Sequence, residues 1–149
     1  MRYWDTSALL PLVVREATSD LIRRQVEADP AIVTWWGTRV ECVSAIARLE
    51  RDGLLLAPQT RAALARLDEM AARWSEVPAI NDVRVQATRL LRTHRLRAAD
   101  SLQLAAAIVA SSFAAASLPF LTLDIRLAEA AEREGFPVVI DLTRQSPSA

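Results

Sequence analysis

The feature that most narrows the folds open to this chain is a repeated exchange of short β-branched or aromatic runs for longer helix-forming stretches, joined by connections of a few residues. Arg2 to Asp5 reads as a strand, and Ser7 to Arg15 as a mostly apolar helix in which Pro11 fits only if it lies in the first turn. Thr18 or Ser19 is placed to cap a helix through Ala28, with Ile22 and Val26 on one face and Pro30 as its stop. Ala31 to Trp35 is a second strand. Trp36 to Asp52 is a helix with Val40, Val43, Ile46, Ala47 and Leu49 as its apolar face and Gly53 just past its end. Pro58 to Ser75 continues as a long amphipathic helix carrying Leu64, Leu67, Met70, Ala71 and Trp74. Val77 to Ile80 is a short strand entering a helix from Asn81 to about Arg95. Ala98 to Ala116 is apolar almost all round, which implies burial on most sides. Phe120 to Leu123 is a strand, Ile125 to Glu134 a helix ending at Gly135, and Val138 to Ile140 a last strand. Such alternation predicts an α/β fold: a parallel sheet covered by helices on both faces.

Composition supports one packed domain, over residues 1–142, followed by a polar tail at 143–149: 52% of the 149 residues are hydrophobic and only three are glycine. The longest apolar stretch, Leu102 to Leu121, is interrupted by Gln103, Ser111, Ser112, Ser117 and Pro119, so it reads as core and not as a bilayer span. No apolar leader follows Met1, and a cytoplasmic location is expected. The lone Cys42 offers neither a disulfide nor a thiolate cluster and reads as a buried small hydrophobe. Eighteen basic residues balance eighteen acidic ones, so no global field draws in nucleic acid and any such contact must be local. Every basic residue is arginine. Without lysine there is no P-loop and no Schiff-base chemistry, and with one histidine the parts for a nucleophilic triad are few. Carboxylate is what remains in quantity.

Open parallel sheets bind ligands beyond the carboxyl ends of their strands, and four acids fall at such places. Asp5 closes the first strand, Asp124 the strand from Phe120, Glu41 lies in the opening turns of the helix after the second strand, and Asp100 begins the apolar helix. Taken singly, Asp5 and Asp124 read well as N-caps, and Thr38 with Glu41 has capping-box spacing. Asp100 strains that explanation, because its helical neighbours Leu104, Ala107 and Ile108 are apolar, and a carboxylate there costs free energy unless paired or bound to a cation. Taken together, a hard oxygen donor set without a cysteine or histidine cluster suits Mg²⁺ or Mn²⁺, and with such an ion phosphodiester hydrolysis.

Four segments in this order resemble the PIN-domain family, and within it the VapC-type toxins of bacterial toxin–antitoxin pairs. They are Tyr3-Trp4-Asp5-Thr6-Ser7-Ala8-Leu9, Glu41 with the helix through Arg48, Leu96 through Ala105 around Asp100, and Leu121-Thr122-Leu123-Asp124 followed by Leu127 to Ala131. The resemblance implies a three-layer fold with a five-stranded, mostly parallel sheet, an RNA-cleaving activity with a Mg²⁺ or Mn²⁺ site, a homodimer, and inhibition by a cognate antitoxin protein. Carried over position by position, it implies an acidic catalytic set of Asp5, Glu41, Asp100 and Asp124. Asp5 and Asp100 would bind metal directly, and Glu41 and Asp124 directly or through water. Ser7 and Thr122 would lend polar support, or else serve only the local turn and strand end. Gln103 departs from the pattern, since many relatives carry histidine there.

Among the arginines from Arg84 to Arg97, Arg89, Arg92 and Arg97 are candidates for RNA contact, the alternative being a solvated helix face. His94 reads as a surface or helix-end residue, and Trp35, Trp36 and Trp74 as core, the alternative being stacked bases or an antitoxin helix. The helix from Pro58 is the expected wall of an antitoxin groove. A haloacid-dehalogenase-like phosphatase lacks its second aspartate, where Ser7 stands, and its lysine, and a receiver domain is weakened by the same missing lysine. Two alternatives stay open: a PIN nuclease of ordinary RNA processing, and a catalytically silent protein-binding module.

Overall fold

The computed structural model of the chain describes residues 1–139. Among these residues four strands form one parallel sheet: β1 (Arg2–Trp4), β2 (Ile32–Trp35), β3 (Ser75–Val77) and β4 (Phe120–Leu121), in the order β3-β2-β1-β4. The helices are α1 (Thr6–Val13), α2 (Ser19–Ala28), α3 (Thr38–Arg51), α4 (Ala57–Ala71), α5 (Asn81–Thr93), α6 (Ala98–Ala110) and α7 (Ile125–Arg133). The strand order carries the main consequence. The chain steps outward from β1 to β2 to β3, then returns to the other side of β1 with β4. Right-handed crossovers taken in opposite directions put their helices on opposite faces of the sheet, and the reversal opens a crevice at the carboxyl ends of β1 and β4.

The two-residue side-chain period of β1 builds both cores. Tyr3 and Trp4 are each fully buried, but on opposite faces. Tyr3 joins Val33 and Phe120, its partners in register, and packs with Val83, Ala87 and Leu90 of α5, the apolar run of α6, and Leu127 and Ala131 of α7. Its ring stacks on Phe120 at 5.1 Å between centroids. Trp4, level with Leu121, packs with Ala8 and Leu9 of α1, Ile22 of α2, Cys42 and Ile46 of α3, and Leu67 of α4. Truncating Leu67 or Leu104, both fully buried, removes a large share of one core at about 2 to 5 kcal/mol.

Several expectations change in detail. The fifth strand survives among the described residues as a single parallel bridge, Phe120 to Val138, and Ile140 and the tail at 143–149 lie outside them. Pro11 sits in the second turn of α1 and not the first. The helix tolerates it because α1 is short, and only the bond back to Ser7 is lost. Val40 and Val43 of α3 are exposed at 68% and 39%, as is Trp36 at 58%. The buried face runs instead through Thr38, Cys42, Ala45 and Ile46, because Thr38 turns its hydroxyl into a buried polar network. α4 ends at Ala71, so that residues 75–77 pair beside β2. α6 stops at Ala110, where Ser112 and Phe113 take left-handed conformations (φ 52° and 63°). Their amides reach back to Val109 and Ile108, closing the carbonyls that a continuing helix would have used. Among the described residues no helix is long and apolar enough to cross a membrane.

Candidate functional site

Asp5 leaves β1 at the crevice and caps α1: one oxygen accepts the Ser7 amide at 3.2 Å and the other the Ser7 hydroxyl at 2.9 Å. Ser7 Oγ has one proton and two lone pairs. With its proton on Asp5, it accepts the Leu123 amide at 2.8 Å and lies 3.2 Å from Thr122 Oγ1. Thr122 Oγ1 in turn accepts the Asp124 amide at 3.0 Å. Ser7 and Thr122, expected as polar support, thus tie the exit of β1 to the exit of β4. Asp124 caps α7, taking the amides of Arg126 and Leu127. The capping reading of Asp5 and Asp124 holds, and the two caps share one hydrogen-bonded corner.

Glu41 does not reach back to a Thr38 amide. Gly37 occupies the N-cap, and Glu41 Oε2 accepts the Thr6 hydroxyl at 2.7 Å and Gln103 Nε2 at 3.3 Å. Gln103 is the polar hub beneath the site and is 1% exposed. Its oxygen accepts the Tyr3 hydroxyl at 2.7 Å, and its amide nitrogen faces Thr38 Oγ1 at 2.9 Å, Thr6 Oγ1 at 3.1 Å and Glu41. The Thr34 hydroxyl gives its proton to the Trp4 carbonyl at 2.7 Å and stands 2.8 Å from Thr38. From the sequence Thr38 paired with Glu41 as a capping box and Thr6 had no partner, whereas in the fold Thr6 and Gln103 hold Glu41 and Thr38 turns to Gln103. The available signal was a long amide one turn after Asp100 in an otherwise apolar helix, which has to find partners once buried.

Electrostatics link Glu41, Asp100 and Asp124, and burial acts on Asp5. Burial pushes the Asp5 carboxyl from 3.8 up to about 7, against the pull of its Ser7 and Thr122 hydrogen bonds. Burial likewise raises Glu41, with a further push from Asp100. Asp100 is raised by burial and then by Asp124, while Arg97 and Arg126 pull it back. Each raised carboxyl is a charge short of compensation. Among the described residues no three histidine, cysteine or acidic side chains form a ready-made metal cage. Magnesium seldom needs one, since it keeps waters and uses one or two carboxylates with substrate phosphate. The all-oxygen donors, and the repulsion that Asp100 shares with Glu41 and Asp124, fit such an ion. Cys42 does not compete for it, because burial pushes its thiol up to about 12.

Of the arginines singled out from the sequence, Arg89 forks onto Glu134 at 2.6 and 3.1 Å, and His94 Nε2 meets the same carboxylate at 2.7 Å. That cluster ties the end of α5 to the end of α7. Arg92 and Arg97 are exposed.

A doubly wound α/β domain with carboxyl groups at the strand ends and helix starts around its strand-order reversal defines the class. The PIN domain family matches residues 2–133, and the chain belongs to it. Members of this family are generally nucleases, hydrolases of nucleic acid. Among solved structures, a toxin–antitoxin complex from Klebsiella pneumoniae shares the fold with a TM-score of 0.58 and 20% identity, over 94% of this chain and 97% of that one. The comparison with curated proteins returned no match.

Proposed function

We propose that the chain is a metal-dependent ribonuclease acting at the rim formed by Asp5, Glu41, Asp100 and Asp124, and that it is the toxin of a toxin–antitoxin pair. The observation that carries this reading is the set of half-buried and buried carboxyls at the exits of β1 and β4 and the starts of α3 and α6, three of them pushed upward in pKa. Asp5 and Asp100 would hold a Mg²⁺ or Mn²⁺ ion, with Glu41 and Asp124 bound directly or through water. When bound, the ion would lower the pKa of water and neutralise phosphoryl oxygens. Ser7 and Thr122 orient Asp5, and Thr6 and Gln103 hold Glu41 by Oε2, leaving Oε1 to take a proton from the attacking water.

Manganese titration by calorimetry should give saturable binding in the wild type that is lost in Asp100→Asn, and chelation should stop cleavage of an RNA pool. Cleavage undiminished by chelation would remove the metal from the mechanism. Induced expression should arrest growth, with Asp5→Ala relieving the arrest. A harmless wild type with intact RNA leaves a nuclease of ordinary RNA processing. The binding-module reading draws on the two genuine caps, Asp5 and Asp124, and predicts no manganese response at all.

For the antitoxin, a cleft of about 360 Å³ between α1, α2, β2 and α4 is walled by Leu12, Val26, Ile32, Met70 and Trp74, with Arg66 and Arg73 at its edge. It would take the apolar face of a partner helix against the helix from Pro58. Met70→Asp should weaken capture of the cognate antitoxin by at least tenfold, the scale of losing a buried apolar anchor. Unchanged capture would place the partner elsewhere. Light scattering in the same experiment reads the homodimer, for which the exposed Trp36, Val40 and Val43 are the proposed contact.

A further inference from the structure

A polar groove of about 800 Å³ opens between the end of α5 and the outer face of α7, and its walls carry Arg92, Arg95, Arg126 and Arg133 against one carboxylate, Glu129. All four arginines are exposed. None of them makes an ion pair within 4.0 Å among the described residues, whereas Arg89 nearby is neutralised by Glu134. His94, 6% exposed, forms the groove floor and is fixed on that same Glu134. In a chain of zero formal charge, this is a local surplus of positive charge built on two braced helices.

We propose that this groove binds the phosphodiester backbone of a single RNA strand and delivers it to the acidic rim. The proposal rests on the nuclease reading above and identifies the arginines that serve it. Guanidinium groups match phosphate oxygens two bonds at a time, and a groove of this size accommodates a few nucleotides and not a duplex. The direction comes from Arg126. It lies on the groove wall two residues beyond the Asp124 cap, and its charge acts on Asp100. A strand lying along Arg133, Arg95 and Arg126 would bring its next phosphate to Asp100 and Asp124. An acidic protein segment suits the groove less well, since its extension would meet the carboxylates of the rim with no cation-bridged phosphate to offer.

The test is binding of a fluorescent single-stranded RNA to the full chain in chelator, where no cleavage is needed, across a series of salt concentrations. Each phosphate contact contributes a slope of about 0.7 in log affinity against log salt for a single strand. The combined Arg92→Ala, Arg95→Ala, Arg126→Ala, Arg133→Ala variant should lose roughly two to three of slope and at least tenfold in affinity at moderate salt. The Arg95→Ala, Arg133→Ala pair should lose about half as much slope as the quadruple variant, and four lysines in place of the arginines should restore most of the loss. Arg23→Ala with Arg61→Ala, on α2 and α4, should change neither. An unchanged slope in a folded quadruple variant overturns the groove, as does binding of polyglutamate but not RNA with the same arginine dependence. Arginine-dependent RNA binding by a wild type that never cleaves leaves the groove standing and sinks only the nuclease reading. Cleavage with an arginine-independent slope does the reverse.

Discussion

Asp5→Asn is expected to abolish RNA cleavage while making the metal-free protein more stable at neutral pH. Loss of several kcal/mol of metal-centred charge stabilisation, at 1.36 kcal/mol per factor of ten, predicts a fall on the order of a thousandfold. Stability moves the other way because of the carboxyl's burial. In the unfolded chain Asp5 ionises near its ordinary 3.8, whereas in the fold it keeps its proton to about 7. Between those values the folded state binds the extra proton, so stability falls as pH rises from about 4 and levels off once the folded carboxyl has ionised. A displacement of that size corresponds to roughly 4 kcal/mol as a ceiling, and Glu41 and Asp100, raised in the same direction, steepen the slope. Asparagine keeps an oxygen for the Ser7 amide and removes the charge. Thermal melts in chelator at pH 5 and pH 8 should show the wild type losing stability at the higher pH and Asp5→Asn losing much less. Manganese should restore the wild type at pH 8 and leave the variant unmoved. A variant that melts below the wild type at pH 8 would mark Asp5 as a structural cap alone.

Gln103→Leu should destabilise the fold and slow catalysis without touching the acidic set. The substitution leaves the buried Tyr3 hydroxyl without its acceptor and the Thr38 hydroxyl and Glu41 without the amide that now faces them. Unsatisfied buried groups cost about 1 to 3 kcal/mol each. A total of about 3 kcal/mol, after relaxation, lowers the melting temperature by roughly 6 to 12 °C in a domain of this size. The positioning role has its own readout. Without the Gln103 donor the Glu41 carboxyl rises further, so the acidic limb of the pH–rate profile should move upward. Gln103→His, which retains one donor and one acceptor, should recover part of both losses. If Gln103→Leu melts early but keeps the wild-type pH profile, the amide serves the core and not the site.

The lower expected effect at Ser7 and Thr122 follows from the same geometry, since each is one member of a shared corner around Asp5. Among the described residues Gln103 hydrogen-bonds α6 to the first turn of α1, the opening turn of α3 and the Tyr3 of β1 at once. That connectivity explains why one buried amide outranks several nearer hydroxyls.

Local chemistry made much of this protein legible from its letters. Alternating apolar runs specified strands and helices, because side-chain periods of two and of 3.6 residues are properties of the backbone. The positions of Asp5 and Asp124 at strand exits were readable because aspartate accepts the first free amides of a helix. Gly53 and Gly135 marked helix ends, and both adopt the positive φ (73° and 95°) that such ends require. The face that α3 buries was not readable, since Val40 and Val43 are apolar yet exposed, and Thr38 is polar yet enclosed. Nor were the partners of Glu41 and Gln103, which come from residues 35 and as many as 100 positions away. Period and propensity act over a single turn or strand. Which polar groups meet when water is excluded depends on the strand order that brings β1 beside β4, and only the assembled sheet decides that.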